Sequence, residues 1–337
     1  MKKNKIEQID FVITWVDGKD LDWQQKRSSY LGGTCIDNRE VRYRDWDNLH
    51  YWFRGIEKYA DWVNKIYFVT CGQVPAWLNL QHDKIVIVTH DSFMEKKYLP
   101  VFNSAAIEVN LHKIKGLSDK FVYFNDDTFI ISSVRETDFF IHDKPVAMGV
   151  ENVIPLKVDK DLIVNNIMRN HAMIINNHFS KKNFIKKNWR KWFSLRNGKD
   201  VIRNLLLIFW KDFCGFKTFH LPTPFLKSTF LKVAQLEAEI LDRTSTHRFR
   251  NGNDVSQWLF QNWQIASGNY VLPKRKCGHY FAAGADDVTC ICNAICKQKY
   301  RVVCINDEVY SDNFEEIRDM INGAFEEIFP EKSSFEK

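Results

Sequence analysis

The sequence predicts an α/β fold built on a parallel-rich sheet, and three observations predict it. Short β-branched and aromatic runs alternate with segments of helical spacing over the first 150 residues. Polar signatures stand at the ends of the apolar runs, where an α/β sheet places its ligand groups. The chain, 337 residues of which 45% are hydrophobic, can bury a core of the size this class needs.

Ile9 to Val16 reads as the first strand and stops at the turn pair Asp17-Gly18. Leu49, Trp52, Phe53, Ile56 and Tyr59 recur at helical spacing. They predict an amphipathic helix from Asp47 to Ala60 with Asp45 or Asp47 near its start, and Arg54 on it as a solvated residue. Lys65 to Thr70 and Lys84 to Thr89 are the second and third strands. Asn103 or Ser104 can cap a helix carrying Ile107, Leu111 and Ile114, and Lys120 to Phe124 is a fourth strand ending in Asn125-Asp126-Asp127. Further on, Thr229 to Leu241 and Asp312 to Phe329 have helical spacing, and the charged tail from Pro330 reads as disordered. The organisation expected is a core over 1–150, an insertion over 151–219, a C-terminal part over 220–329 that completes the site, and a tail over 330–337.

The net charge is +6, but its placement matters more. Between Lys181 and Lys217, eleven Lys and Arg face only Asp200 and Asp212, so this stretch carries +9 and the rest of the chain −3. Phe184, Trp189, Trp192, Phe193, Phe209, Trp210, Phe213 and Phe216 are interleaved with those charges. Cations among aromatics fit a helix lying in an anionic membrane interface; a solvated basic face over core aromatics fits equally well. No nucleic-acid-binding motif accompanies the charge. No apolar run reaches the roughly 20 residues that span a bilayer. The basic start, Met1 to Lys5, leads into an apolar run too short for a signal peptide. Eight scattered cysteines point to a reduced, cytoplasmic protein. Cys277, His279, Cys290, Cys292, Cys296 and Cys304 lack the paired Cys-x₂-Cys spacing of zinc knuckles, and free thiols are expected.

Four groups of polar residues carry the chemistry. Asp126 and Asp127, at a strand end, can hold a hard divalent cation such as Mg²⁺ or Mn²⁺. Asp17 can contact a base or ribose, or simply cap its turn. Arg44, Asp45 and Asp47 crowd a helix start, where Arg44 holds a phosphate or an ordinary ion pair forms. His220 is followed by Pro222-Thr223-Pro224, a stiff loop suited to fixed placement. Arg248 and Arg250 flank Phe249, so in an extended segment both guanidiniums point the same way and can clamp a pyrophosphate. This inventory suits a nucleotide-activated substrate.

Thr14-Trp15-Val16-Asp17-Gly18, the run from Arg44-Asp45-Trp46-Asp47-Asn48-Leu49 to Thr70, and Phe102-Asn103-Ser104 through Glu108 resemble the first two conserved regions of the Stealth proteins. Tyr123 to Asp127 extends that match. His220 to Pro224, with Arg248-Phe249-Arg250 through Asp254, resembles the third region, and Cys304-Ile305-Asn306-Asp307 the fourth. Residues 150–217 lie outside the resemblance.

These are bacterial capsular and cell-surface polysaccharide phosphotransferases, related to the eukaryotic enzyme that makes the lysosomal mannose-6-phosphate tag. The resemblance implies a Rossmann-like nucleotide-sugar-binding core and a divalent cation. It implies transfer of a sugar-1-phosphate from a UDP-sugar to a hydroxyl of an acceptor glycan, which is lipid-linked in some pathways, with release of UMP. By position, Asp126 and Asp127 match the acidic pair, His220 the histidine and Arg250 the arginine of the third region. Asp17 and Asp45 match acidic positions of the first two. Catalytic roles are thereby expected for His220, Asp127 and Arg250; an imidazole ordinarily titrates near neutrality, which makes His220 the preferred general base, with one of the aspartates as the alternative. Substrate contacts are expected from Asp17, Arg44, Asp45, Asp47, Asn103, Ser104 and Arg248. Trp46, inside the second motif, is expected to tune selectivity. Two alternatives stay open, a metal-dependent glycosyltransferase that releases UDP and a non-catalytic assembly protein. Stretch 181–217 predicts peripheral association with the inner face of the cell membrane.

Overall fold

A computed structural model describes residues 8–31, 43–155, 161–275, 277–310 and 313–337. The basic segment Met1 to Lys5 and Asp312, the start expected for the last helix, lie outside the described residues. In chain order the elements are β1 (Ile9–Thr14), α1 (Leu21–Ser29), α2 (Leu49–Tyr59), β2 (Ile66–Thr70), β3 (Ile85–Thr89), α3 (Ser104–Glu108), β4 (Lys120–Phe124) and β5 (Thr128–Ile130). There follow α4 (Glu136–Phe139), β6 (Phe140–Ile141), β7 (Lys144–Pro145), α5 (Leu162–His178), α6 (Lys181–Trp192), α7 (Val201–Leu206), β8 (Thr223–Leu226) and α8 (Lys227–Leu236). The chain closes with α9 (Ala238–Thr246), α10 (Gln257–Ala266), β9 (Gly278–Ala283), α11 (Val288–Cys296), β10 (Val302–Asp307) and α12 (Phe314–Ile328).

The central sheet has the order β3-β2-β1-β4-β8. Its first four strands are parallel, as the alternation of strands and helices implied, and β8 runs antiparallel beside β4. Asp10 apart, whose carboxylate accepts from Asn64 Nδ2 and the Ser118 amide, β1 and β2 read as apolar runs because both faces of a parallel sheet are covered. Phe11 and Ile13 of β1, with Val122 and Phe124 of β4, pack on one face against Trp52, Phe53 and Ile56 of α2 and against α11 and α12. Val12, Phe121 and Tyr123 point to the other face, into a core with Phe230 of α8 and Phe260 and Trp263 of α10. That is the two-residue period of a strand seen from both sides. Gly55 lets α2 approach β5, since a Cβ there would stand 2.3 Å from the carbonyl oxygen of Ile130.

A second sheet, β5-β10-β9, continues from the end of β4. In it β10 pairs antiparallel with β5 and parallel with β9, so residues near 300 join the strand that follows Asp127.

Several expectations are corrected. The helix expected over Thr229–Leu241 is two, α8 and α9, broken at Glu237. Ile107, Leu111 and Ile114 do not share one helix, because α3 ends at Glu108 and a separate 3₁₀ turn carries Leu111. Pro222-Thr223-Pro224 is not a stiff loop: Thr223 opens β8, and Pro224 sits opposite Val122 on an edge strand, where a missing N–H is tolerated. Arg54 is not solvated, as its Nε and Nη2 donate to the two oxygens of Glu336 at 2.8 and 2.9 Å and Nη1 donates to the Phe329 carbonyl at 2.7 Å. The tail is likewise ordered. Phe335 is 2% exposed, its ring stacks on His82 at 4.0 Å, and its carbonyl accepts from the Asn79 amide at 2.7 Å. One apolar anchor and one buried ion pair outweigh the charged composition of these eight residues.

Candidate active site

The strand order places a topological switch point between β1 and β4, whose carboxyl ends open side by side. A cleft of about 530 Å³ lies there. The Tyr123 hydroxyl, 2.8 Å from Thr14 Oγ1, ties the two strand ends together under it.

Pairing brings distant residues to this point. Because β8 is antiparallel to β4 with Thr223 opposite Tyr123, the residues before Thr223 lie beside those after Tyr123. His220 therefore meets Asn125 and Asp127, with Nε2 2.5 Å from Asn125 Nδ2 and 3.6 Å from Asp127 Oδ2. With the Asn125 amide as donor, Nε2 carries a lone pair. Tyr280 of β9 stacks on the imidazole at 6.0 Å, and Trp258 meets it edge-on at 6.5 Å. Likewise β10 pairs Cys304 with Thr128, so the Cys304 thiol donates to Asp127 Oδ2 at 3.4 Å. Burial, then the charge of Asp127, pushes that thiol well up, so it stays a neutral donor.

The acidic groups are crowded. Asp126 opens to the cleft yet is walled by protein on its other sides. This confinement, the charge of Asp127 and that of Asp45 push its carboxyl up to about 7. Burial also raises Asp45. Asp127 Oδ1 is buried without a hydrogen-bond partner. An orphaned carboxylate oxygen beside acids raised by burial and by one another's charge fits a hard divalent cation. Asp127, His220 and Cys304 also place one donor atom each within 4.8 Å of one another, and Asp126 stands outside that cluster.

Across the cleft, Arg250 donates from Nη2 to Ser104 Oγ at 2.9 Å and lines the cavity. Glu108, at the end of α3, is buried beneath it. Its Oε2 accepts from the Gln257 amide at 3.0 Å and its Oε1 from the Tyr123 hydroxyl at 3.4 Å, and burial raises its carboxyl.

The family model for conserved region 1 of the Stealth proteins matches residues 7–35, and that for conserved region 2 matches 42–148. The capsular polysaccharide phosphotransferase WcwK of Streptococcus pneumoniae is 44% identical over 335 residues, covering 98% of this chain and 99% of that protein. The chain belongs to the Stealth family. The receptor polysaccharide phosphotransferase WefC of Streptococcus gordonii is 40% identical, covering 98% of this chain and 99% of its own. The exopolysaccharide phosphotransferase cps2G of Lactiplantibacillus plantarum is 38% identical, covering 98% and 96%.

In this Stealth protein the two matched regions contribute Asp45, Asn103, Ser104, Asp126 and Asp127 to the cleft, and folding adds His220 and Arg250 from beyond them. Asn103 acts as a brace. Its Oδ1 caps α3 through the Ala105 amide at 3.1 Å, and its Nδ2 donates to Asp254 Oδ2 at 2.8 Å.

Four expected substrate contacts are placed otherwise. Arg44 lines the cleft, but its Nε and Nη2 donate to the carboxylate of Asp307 at 2.8 and 2.6 Å, and Nη2 also to the Val309 carbonyl at 2.7 Å. Its fork is committed to anchoring the end of β10 rather than to a phosphate. Trp46, which also lines the cleft, donates from Nε1 to the same Asp307 carboxylate at 3.1 Å and is otherwise buried. Asp17 caps its own turn through the Lys19 amide at 2.8 Å. Asp47 lies outside the cleft, paired with Lys19 at 2.9 Å. Arg248 and Arg250 do not form a clamp. The chain bends at Phe249, whose ring stacks on Phe102 at 5.3 Å, and Arg248 turns away to lie 5.0 Å over the Tyr30 ring.

Sequence reading missed Glu108, Asn125, Tyr280 and Gln257 as site residues. Glu108 and Asn125 stood inside the quoted motifs; nothing in the sequence distinguished Tyr280 or Gln257.

Proposed function

We propose that this protein transfers a sugar-1-phosphate from a UDP-sugar to a hydroxyl of a surface-polysaccharide acceptor, releasing UMP. One observation carries the reading: the imidazole of His220, the carboxylate of Asp127 and the guanidinium of Arg250 converge on one cleft from three distant parts of a Stealth chain. A phosphotransferase is also what the named relatives are.

In this reaction the acceptor oxygen attacks the β-phosphorus in line. The new O–P bond forms as the β-P–O bond to the α-phosphate breaks, and the electron pair leaves with UMP. His220 Nε2 takes the hydroxyl proton once the acceptor hydroxyl displaces the Asn125 amide from it, and the Asp127 carboxylate, 3.6 Å away, stabilises the imidazolium that forms. Arg250, fixed by Ser104, binds the diphosphate with its planar fork. Asp127 Oδ1, backed by Asp126, would hold Mg²⁺ or Mn²⁺, which supplies charge neutralisation at the phosphates. Positioning and electrostatics dominate such transfers. Glu108 keeps the Tyr123–Thr14 floor and the start of α10 at Gln257 in register beneath the reacting groups.

The test is the nucleotide product. The protein is incubated with a panel of UDP-sugars, Mn²⁺ or Mg²⁺, and a capsular or lipid-linked acceptor. UMP with a phosphodiester product supports the proposal; UDP would make the protein a glycosyltransferase and overturn it.

A further inference from the structure

The basic, aromatic stretch does not form the single interfacial helix its composition predicts. Phe184, Trp192, Phe213 and Phe216 enter the second core and Phe193 packs against it, so five of the eight aromatics serve packing. What remains outside is more telling. After α6 the chain turns through 194–200 into α7 and runs on to Trp210, with Leu195, Ile202, Leu205, Leu206, Ile208, Phe209 and Trp210 all exposed. Phe209 is 90% and Leu195 85% exposed. Trp189 of α6 is exposed as well.

This is not a loose loop. Val201, Asn204, Leu207 and Phe213 are buried and alternate with the exposed residues. Asn204 Nδ2 donates to the carbonyls of Gly149 and Trp192 at 2.8 and 2.7 Å, and its Oδ1 accepts from the Glu151 amide at 2.7 Å. The fully buried Lys181 joins Glu151 at 2.8 Å and the Leu207 carbonyl at 2.6 Å. A rigid base therefore holds these seven apolar side chains in water, where a lone soluble domain would bury them.

Charge decides the occupant. Lys186, Lys187 and Arg190 of α6, with Arg196, Lys199, Arg203 and Lys211 interleaved among the apolar residues, are exposed, within the stretch that carries +9. The core of a protein–protein interface is depleted of charged residues. Lys and Arg interleaved with Leu, Phe and Trp match a bilayer, where cations meet anionic headgroups and the apolar tip enters the acyl boundary. We infer that residues 195–211, with the outer face of α6, dock this protein on an anionic lipid surface. The inference rests on this geometry and not on the reaction proposed above.

The test is co-sedimentation of the full chain with vesicles of phosphatidylglycerol and phosphatidylcholine, and with phosphatidylcholine alone. Wild type pellets with the anionic vesicles, and binding weakens as salt shortens the Debye length from about 10 Å to about 3 Å. Leu206→Ser/Phe209→Ser/Trp210→Ser weakens partitioning by about a hundredfold, since partial burial of each of the three side chains is worth about fivefold. Phe209→Ser alone, a change at a side chain with almost no packing, shows a smaller loss in the same direction. Leu21→Ser, equally exposed but remote in sequence, changes nothing. Failure of wild type to pellet, equal binding to neutral vesicles, or undiminished binding of both variants would overturn the inference. Self-association abolished by Phe209→Ser, without vesicle binding, would assign the surface to a second copy and also overturn it.

Discussion

Asp126 offers a test that separates the stability of the site from its purpose. Its carboxyl is pushed up to about 7 in the folded protein, from an ordinary value of 3.8, by confinement and by Asp127 and Asp45. The folded state thus binds this proton more tightly than the unfolded state does. Stability falls as pH rises from about 4 to about 7, and the full penalty stands above that window. For a sealed group the shift would amount to about 4 kcal/mol. The cleft admits water to Asp126, so screening reduces this to about 1–2 kcal/mol. Asp126→Asn removes the charge and keeps the shape. It is expected to raise the melting temperature of the metal-free protein at pH 8 by a few degrees, about 2–4 °C per kcal/mol. The gain fades toward pH 4, where wild-type Asp126 is neutral in the folded state. The same substitution reduces the rise in melting temperature that Mn²⁺ produces at pH 8, because the acid pair that attracts the cation is halved. Thermal melts by circular dichroism in chelator, then with Mn²⁺, read both effects. An equal change in melting temperature at pH 4.5 and pH 8, or a loss at pH 8, would refute the reasoning.

Three other outcomes are expected. His220→Ala lowers kcat by about 10²–10⁴-fold with little change in donor binding by calorimetry, because the proton acceptor is lost and the phosphate contacts are not. Arg54→Met costs about 3–5 kcal/mol in urea unfolding, since it leaves the 5%-exposed carboxylate of Glu336 unpaired, whereas Glu326→Gln, at an exposed partner, costs little. Lys181→Met costs a similar ~3–5 kcal/mol, and Lys181→Met/Glu151→Leu recovers much of it, because removing both buried charges removes the desolvation problem.

The strand ends and the acidic pair were legible because the signals are local. A run such as Lys120 to Phe124 with polar residues after it states its own period and its own boundary, and β4 begins and ends where that run does. For the same reason β2 and β3 end where the sequence reading ends them, at Thr70 and Thr89, and start one residue later than read. Helix continuity was less legible. The spacing of Leu231, Ala234, Ala238 and Leu241 runs smoothly through Glu237, but the backbone there leaves helical geometry so that α9 can turn toward α3.

At the site, residue types pointed to chemistry but not to partners. Arg44 and Arg250 look alike in sequence. Only the fold gives Arg44 to Asp307, 263 positions away, and leaves Arg250 facing the cleft on Ser104. Arg248 and Arg250 likewise diverge only because Phe249 must stack on Phe102.

The sequence by itself determined the parallel sheet, the strand ends that bear ligand groups, and the family, because periodicity and contiguous motifs need no long-range contact. The tertiary structure decided which charges are taken and which are free. It also decided that the tail packs and that the aromatic stretch splits between core and surface. A charge is neutralised, and an aromatic ring buried, by whatever the fold brings within a few ångströms, and that neighbour is set by strand register and helix packing rather than by position along the chain.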